Sequence, residues 1–196
     1  MTQTYKQPGQ PKGSIGRLLG WVMSWYNQLD NEWTLNLLEI VNGQKLLEVG
    51  FGPGKAIQTA HVRYPECYIS GVDHSNTMVE MATRLNSKAI SEGKVQLGVG
   101  DVSNLTFTDN SFDAAFSINC IYFWPDPVHA LEEIRRVLKQ GGQLAITVRD
   151  KQTKAYQSFS ESRLEKLLYD AGFKNVSIHN NGLSSHPLLC VIGFKL

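Results

Sequence analysis

The stretch that most constrains the fold is Leu-Leu-Glu-Val-Gly-Phe-Gly-Pro-Gly at residues 46–54. Its first half predicts a short buried strand, because two leucines and a valine surround a single acid. Its second half places glycine at three alternate positions, Gly50, Gly52 and Gly54. Glycine allows a tight turn and lets a ligand approach the backbone without a Cβ in the way. Residues 55–64 contain no glycine and predict a helix. The stretch is therefore a strand-to-helix turn, the place where α/β sheets bind nucleotides.

The spacing of the glycines argues against two known kinds of phosphate-binding loop. A dinucleotide loop needs a third glycine where Lys55 stands, and a P-loop needs Gly-Lys followed by Ser or Thr. Glu48 would repel a pyrophosphate, whereas it suits a cation. The order Glu-x-Gly-x-Gly-x-Gly resembles the first motif of the class I S-adenosylmethionine (SAM)-dependent methyltransferases, and in particular their small UbiE-like and methyltransferase-11-like members. SAM carries a sulfonium and an ammonium but no phosphate. An ordinary glycine-rich loop is the alternative.

An acid follows the second predicted strand at the distance that a ribose-binding carboxylate requires. Asp73 lies 73 − 54 = 19 residues beyond Gly54, and a spacing of about 20 is expected. Asp73 would accept hydrogen bonds from both ribose hydroxyls. The alternative is that Asp73 caps the next helix, although Ser75 or Asn76 could take that role.

The resemblance extends to later parts of the chain. It implies that Asp101, after the third predicted strand, meets the adenine amino group, with a plain loop residue as the alternative. The segments Leu-x-Phe-x-Asp-Asn-Ser-Phe-Asp at 105–113 and Leu-Lys-Gln-Gly-Gly-Gln-Leu at 138–144 are also typical of the family. Asn119-Cys120-Ile121-Tyr122 stands where enzymes that methylate nucleic-acid amino groups carry Asn/Asp-Pro-Pro-Tyr. The two prolines are missing here, which disfavours that activity.

Strand and helix patterns alternate along the chain. Alternation predicts an α/β fold with a parallel sheet and helices on both faces. The resemblance implies a Rossmann-like, seven-stranded, mostly parallel sheet whose last strand is antiparallel. Strands are predicted at 46–49, 67–73, 95–99, 114–119, 144–148, 175–180 and 188–195, and helices at 15–41, 55–64, 77–91, 128–139 and 160–171. Gly141 and Gly142 are expected to close the fourth of these helices. We expect a flexible arm at 1–14, a helical lid at 15–41 and a methyltransferase domain at 42–196, forming one domain overall.

The expected site residues fall at the carboxyl ends of the strands. His186 is the best base candidate because the last hairpin should turn at that edge, and Tyr122 is the second catalytic candidate. The pocket aromatics could equally pack the N-terminal helix or the neighbouring helix, and no metal site is expected. The expected cofactor-binding residues are Glu48, Gly50, Gly52, Gly54, Asp73, His74, Met78, Asp101, Val102 and Asn119, and the expected substrate-pocket residues are Trp25, Tyr26, Tyr122 and Trp124.

Composition narrows the class of protein. A net charge of +1 gives no basic footprint for nucleic acid or an acidic membrane. Three widely spaced cysteines favour a reducing cytosol over a disulfide framework or a zinc site, and no apolar run reaches the roughly 18 residues of a membrane span. We expect a cytoplasmic SAM-dependent methyltransferase, monomeric or homodimeric, that acts on a small molecule and releases S-adenosylhomocysteine (SAH).

Several alternatives stay open at the level of sequence. A peptide, protein or RNA methyltransferase of the same fold would keep the cofactor and change the acceptor. A non-catalytic SAM-binding module would keep the fold alone. A nicotinamide-dependent oxidoreductase is disfavoured by the glycine spacing. The acceptor, the methylated atom, the need for a base and the motion of the lid are not determined by the sequence.

Overall fold

The computed structural model describes residues 28–149, 159–183 and 185–196. Within these ranges the chain forms one seven-stranded sheet flanked by helices. The strands are β1 Lys45–Val49, β2 Tyr68–Asp73, β3 Val95–Val99, β4 Phe112–Ile118, β5 Leu138–Arg149, β6 Lys174–Asn180 and β7 Leu188–Phe194. The helices are α1 Gln28–Leu37, α2 Lys55–Arg63, α3 Asn76–Leu85, α4 Ser87–Ser91, α5 Pro127–Val137 and α6 Glu161–Asp170, with a 3-10 turn at Ile121–Phe123.

The strand order across the sheet is β3-β2-β1-β4-β5-β7-β6. The pairs among β1 to β5 are parallel, and β7 runs antiparallel to both β5 and β6. This topology confirms the predicted Rossmann-like α/β fold with an antiparallel last strand. The direction of the chain across the sheet reverses between β1 and β4. Ligands of such sheets bind outside the carboxyl ends of the strands at this reversal.

Alternate residues of the central strands supply two separate cores. Leu46 of β1 packs with α1, α2 and α3 on one face, and Leu47 packs with α5 and α6 on the other. The same alternation continues along β5, where Ala145 faces the first core and Leu144 and Ile146 face the second. Since successive side chains of a strand point to opposite faces, a parallel sheet covered on both sides needs apolar residues at nearly every strand position.

The fifth strand is longer than the sequence pattern predicts. It begins at Leu138, immediately after α5, and runs for 12 residues. The expectation that Gly141 and Gly142 close the helix is therefore wrong, since both lie inside β5. The reason is long-range pairing, because the Gly141 N–H donates to the Lys195 carbonyl at 2.7 Å and the Lys195 N–H donates to the Gly142 carbonyl at 2.9 Å.

Two of the predicted helices also have different limits. The helix predicted at 77–91 is divided at Asn86, whose buried side chain donates to the Gly54 carbonyl at 3.1 Å and to the Ala82 carbonyl at 2.9 Å. The helix predicted at 15–41 ends at Leu37, before a turn at residues 42–43. Its first part, residues 15–27, and the predicted arm at 1–14 lie outside the described residues. At the start of α6, the Ser160 side chain makes no capping hydrogen bond.

Two features that the sequence does not predict are a membrane-spanning helix and a metal-binding cluster. No helix in the described ranges combines the length and the apolar character that a membrane crossing needs. The same ranges contain no group of three or more His, Cys, Asp or Glu side chains that could hold a metal ion.

Phe116 gives a direct test of the core. Its side chain is fully buried in the middle of β4, in register with Glu48 of β1 and Ala145 of β5. We expect Phe116→Ala to lower the free energy of unfolding by about 3–5 kcal/mol, because it leaves a cavity in a packed core. Urea denaturation would measure the loss. Val62, on α2, is 76% exposed, and Val62→Ala should change stability by less than about 0.5 kcal/mol. Equal effects of the two substitutions would contradict this packing.

Candidate functional site

The turn after β1, at residues 50–54, is formed by backbone atoms, and we call it the cradle. The Gly50 N–H donates to the Val72 carbonyl at 2.8 Å, which fixes the turn to β2. A Cβ at Gly50 would collide with the side chain of Cys120, whereas a Cβ at Gly52 would meet nothing within 4 Å. Both glycines have positive φ values, +75° and +52°. Packing and backbone conformation therefore explain Gly50, while Gly52 marks the part of the turn that faces open space.

Asp73 holds this cradle against the end of β2. Its Oδ2 accepts from the Gly52 N–H at 2.8 Å and its Oδ1 accepts from the Ser75 N–H at 2.9 Å. Burial raises the pKa of Asp73, and these two N–H groups lower it. The cap of α3 is Ser75, whose Oγ accepts from the Met78 N–H at 3.4 Å. Asp73 does not cap this helix. Each of its oxygens accepts one backbone N–H and can accept a further hydrogen bond, so Asp73 keeps acceptor capacity for hydroxyl groups of a ligand.

Glu48 is a buried acid with one unpaired oxygen. The residue is 2% exposed, and its Oε2 has no hydrogen-bond partner in the described part of the chain. The pKa of Glu48 is raised to about 8. Burial is the largest cause and the charge of Asp73 is the second, while a hydrogen bond with the Ile57 backbone partly opposes them. A cation bound at this turn would favour the ionised carboxylate. The orphaned oxygen, the open Gly52 and the acceptors of Asp73 together fit a cationic nucleoside such as SAM.

The other expected cofactor residues lie at the same edge of the sheet. His74 is exposed directly after β2, and Met78 is buried in the first turn of α3. Asp101 follows β3 and is exposed, and its Oδ1 accepts from the Ser103 N–H at 2.8 Å. Val102, beside it, is 9% exposed. The ends of β1, β2 and β3 therefore bring together all the residues that the sequence analysis assigned to the cofactor, with the exception of Asn119.

Asn119 belongs to a second group of polar residues, which meet at Asp30. The Asp30 side chain on α1 is fully buried, and its Oδ2 accepts from Asn119 Nδ2 at 2.6 Å and from Arg149 Nε at 2.8 Å. Its Oδ1 lies 2.7 Å from His186 Nε2. These residues come from α1, the ends of β4 and β5, and the β6–β7 hairpin. One buried carboxylate thus joins four segments at the ligand edge; we call these four residues the Asp30 network.

The two described aromatic residues of the expected substrate pocket, Tyr122 and Trp124, differ in their surroundings. The Tyr122 hydroxyl accepts from the Arg149 backbone N–H at 2.9 Å and lies 3.5 Å from Asn119 Oδ1. The Tyr122 ring meets Phe159 edge-on at 5.4 Å between centroids. Trp124, in contrast, is 7% exposed and packs in the core. Tyr122 therefore lies beside the Asp30 network, whereas Trp124 has a packing role in the structure. The other expected pocket residues, Trp25 and Tyr26, lie outside the described residues.

Asp30 is the site residue that the sequence analysis missed. The aromatic residues of the predicted helix suggest a lid or a packing role, and they give no indication of a function for Asp30. A signal was nevertheless present, because Asp30, Thr34 and Leu38 are four residues apart and share one helix face. Leu38 and Thr34 are buried, and the Thr34 hydroxyl donates to Thr147 Oγ1 at 2.7 Å. A carboxylate on the apolar face of a helix needs partners there, which is the reason to examine such an acid.

Comparison with known proteins identifies the class. Residues 47–146, about half of the chain, match the family described as a methyltransferase domain. The chain therefore belongs to this family, and it is a class I SAM-dependent methyltransferase of the UbiE-like type.

Individual relatives agree with the family. The chain is 29% identical over 181 residues to "Uncharacterized methyltransferase YdaC" of Bacillus subtilis (strain 168), covering 91% of this chain and 98% of that protein. It is 34% identical over 121 residues to a demethylmenaquinone methyltransferase of Thermotoga maritima, covering 60% of this chain and 50% of that protein. The chain thus matches only about half the length of the second relative. A SAM-dependent methyltransferase structure from Aquifex aeolicus superposes with a TM-score of 0.76 at 21% identity, covering 91% of this chain and 98% of that chain. That likeness shows the shared fold.

Substitution of Glu48 should change stability in a pH-dependent way. The pKa of Glu48 is raised from 4.5 to about 8 on folding, so the folded protein binds more protons than the unfolded chain between these values. Stability is then lost as the pH rises. We expect Glu48→Gln to stabilise the ligand-free protein at pH 8 and to have little effect at pH 4.5, with about 1.4 kcal/mol for each unit of pKa difference.

Chemical denaturation at both pH values would measure this effect. Glu80→Gln is the matched control, because Glu80 is exposed on α3 and should show no pH-dependent gain. If Glu48→Gln gave the same change at both pH values, Glu48 would not titrate between them.

Proposed function

We propose that this methyltransferase transfers a methyl group from SAM to a small-molecule acceptor. The observation that carries the proposal is the pairing of two sites at one edge of the sheet. The cradle at Gly52, with Glu48 and Asp73, lies at the ends of β1 and β2, and the Asp30 network lies at the ends of β4 and β5. The neighbouring β1 and β4 bring the two together.

Each side chain of the cradle has a role that follows from its chemistry. Asp73 would accept hydrogen bonds from the ribose hydroxyls, and Glu48 would oppose the positive charge of the cofactor. Asp101, at the end of β3, would meet the adenine amino group. When bound, SAM supplies an electrophilic methyl group on a sulfonium. The protein's contribution to such a transfer is to align the acceptor with that methyl group and to exclude water.

Two observations support a small-molecule acceptor. The Thermotoga relative is named for demethylmenaquinone, which is a small molecule. In addition, the segment between β5 and α6 spans only residues 150–160, which leaves no room for an inserted acceptor-binding domain. The net charge of +1 gives no support for an RNA acceptor. His186 and Tyr122, which lie at the Asp30 network, are the proposed catalytic side chains.

Removal of the Asp73 carboxylate tests the cofactor site. We expect Asp73→Ala to weaken binding of both SAM and SAH by about 1–3 kcal/mol, because it removes hydrogen bonds to an ionised acceptor. Isothermal titration calorimetry would measure both affinities, and production of SAH from a panel of metabolites would show the acceptor class.

Asp170→Ala is the matched control for this experiment. Asp170 pairs with Lys166 on the exposed face of α6, so its removal should leave cofactor affinity unchanged. Wild-type protein that binds neither SAM nor SAH would refute the proposed function. Equal affinities of wild type and Asp73→Ala would remove only Asp73 from the ribose role.

A further inference from the structure

The side chain of His186 makes a directional contact with the buried Asp30. Nε2 of His186 lies 2.7 Å from Asp30 Oδ1. The other neighbours of this carboxylate, Asn119 Nδ2 and Arg149 Nε, are both donors. These two donors, of which the Arg149 guanidinium is positively charged, favour an ionised Asp30 carboxylate, which only accepts hydrogen bonds. The hydrogen of a neutral His186 ring is therefore on Nε2.

This arrangement leaves the second ring nitrogen available. With hydrogen on Nε2, Nδ1 carries a lone pair and can only accept. Among the residues that the structure describes, no hydrogen-bond partner reaches Nδ1 of His186. The His186 side chain is 22% exposed, whereas the Asp30 side chain is fully buried. A molecule bound at the ligand edge can reach the imidazole, but it cannot reach the carboxylate that orients it.

The groups next to His186 indicate the kind of molecule that fits. In the part of the chain that the structure describes, the charged residues at this point are Asp30 from α1 and Arg149 from β5, and they form an ion pair at 2.8 Å. The Tyr122 ring lies beside them and meets Phe123 and Phe159 edge-on, at 6.3 and 5.4 Å between centroids. Among the described residues, the surroundings thus combine aromatic rings with an imidazole nitrogen that can accept a proton, and the Asp30 carboxylate that could attract an amine cation is already paired.

We propose that Asp30 is a positioning residue that fixes His186 with Nδ1 as the proton acceptor, and that the acceptor molecules are aryl hydroxyl compounds. This inference rests on the proposed function, because it assigns the acceptor chemistry of the same site. A neutral aryl hydroxyl is a weak nucleophile until its proton is removed, which gives a base at this position a task.

The proton and electron balance of the step is simple. Nδ1 of His186 takes the proton of the acceptor hydroxyl as the acceptor oxygen forms a bond to the methyl carbon. The bond between that carbon and the sulfonium sulfur breaks, and its electron pair stays on sulfur, which leaves neutral SAH. The imidazolium that results is stabilised by Asp30 and then returns its proton to water.

The first experiment tests the tautomer in the ligand-free protein. The ¹⁵N spectrum of histidine-labelled protein at mildly alkaline pH should show His186 as the Nε2–H form, with the signal assigned by its loss in His186→Gln. In Asp30→Asn, which keeps the volume but loses the charge, we expect a mixture of both tautomers. Thr34→Val is the control, because it removes the contacts of the Thr34 hydroxyl with Thr147 and with the Asp30 backbone carbonyl. It keeps the Asp30 carboxylate and should leave the tautomer unchanged. An Nδ1–H form in the wild type would overturn the proposal without any variant.

The second experiment tests the acceptor class. Phenol, catechol and 1-naphthol would be compared with aniline and 1-naphthylamine by SAH production. We expect SAH from the hydroxyl compounds, and a fall in kcat of about 100-fold or more in His186→Gln, the size expected for loss of a general base, with little change in KM. Transfer to the amines alone, or to none of the hydroxyl compounds, would overturn the assignment. SAM binding by calorimetry separates the cases, since absent binding refutes the proposed function, whereas binding without transfer refutes only this inference.

Discussion

The site depends on the contact between the glycine turn and the end of the neighbouring strand. The Gly52 N–H donates to Asp73, and the Gly50 N–H donates to the Val72 carbonyl. These two bonds hold a turn with positive φ values against β2, so that the open face of Gly52 and the Asp73 carboxylate share one side of the sheet. Without the pairing of β1 with β2, neither group would have a fixed position, because they are distant in the sequence.

This geometry has an electrostatic cost that also explains its selectivity. Glu48 and Asp73 are two acids held close together and removed from water, and both have raised pKa values. Since the pKa of Glu48 is raised to about 8, its side chain is largely neutral at pH 7 when no ligand is bound. A bound phosphate would favour this neutral form further, whereas a bound cation would favour the ionised carboxylate. The two acids therefore favour a positively charged nucleoside. Preorganised charge of this kind is common at functional sites, where burial and like charges shift pKa values.

On the other side of the reversal point, the Asp30 network connects α1 to the sheet. Loss of Arg149, the charged partner of the buried Asp30 carboxylate, would break a buried ion pair, which is strongly destabilising. The network therefore fixes α1 over the ends of β4 and β5 by polar contacts in addition to apolar packing through Leu35 and Leu38. The described part of the helix that was expected to cover the site contributes an acid, Asp30, to the ligand edge.

The class of fold, the glycine turn and the acids at the ends of β2 and β3 could be predicted from the sequence, because these features depend on local residue spacing and on the alternation of strand and helix patterns along the chain. The extent of β5 depends instead on pairing with Lys195, and the break of the predicted helix at Asn86 depends on a hydrogen bond to Gly54. Both arise from long-range contacts, and so does the role of Asp30. Asp30 and His186 are 156 residues apart in the chain, and no local pattern records a contact that forms only when α1 and the last hairpin meet at the same edge of the sheet.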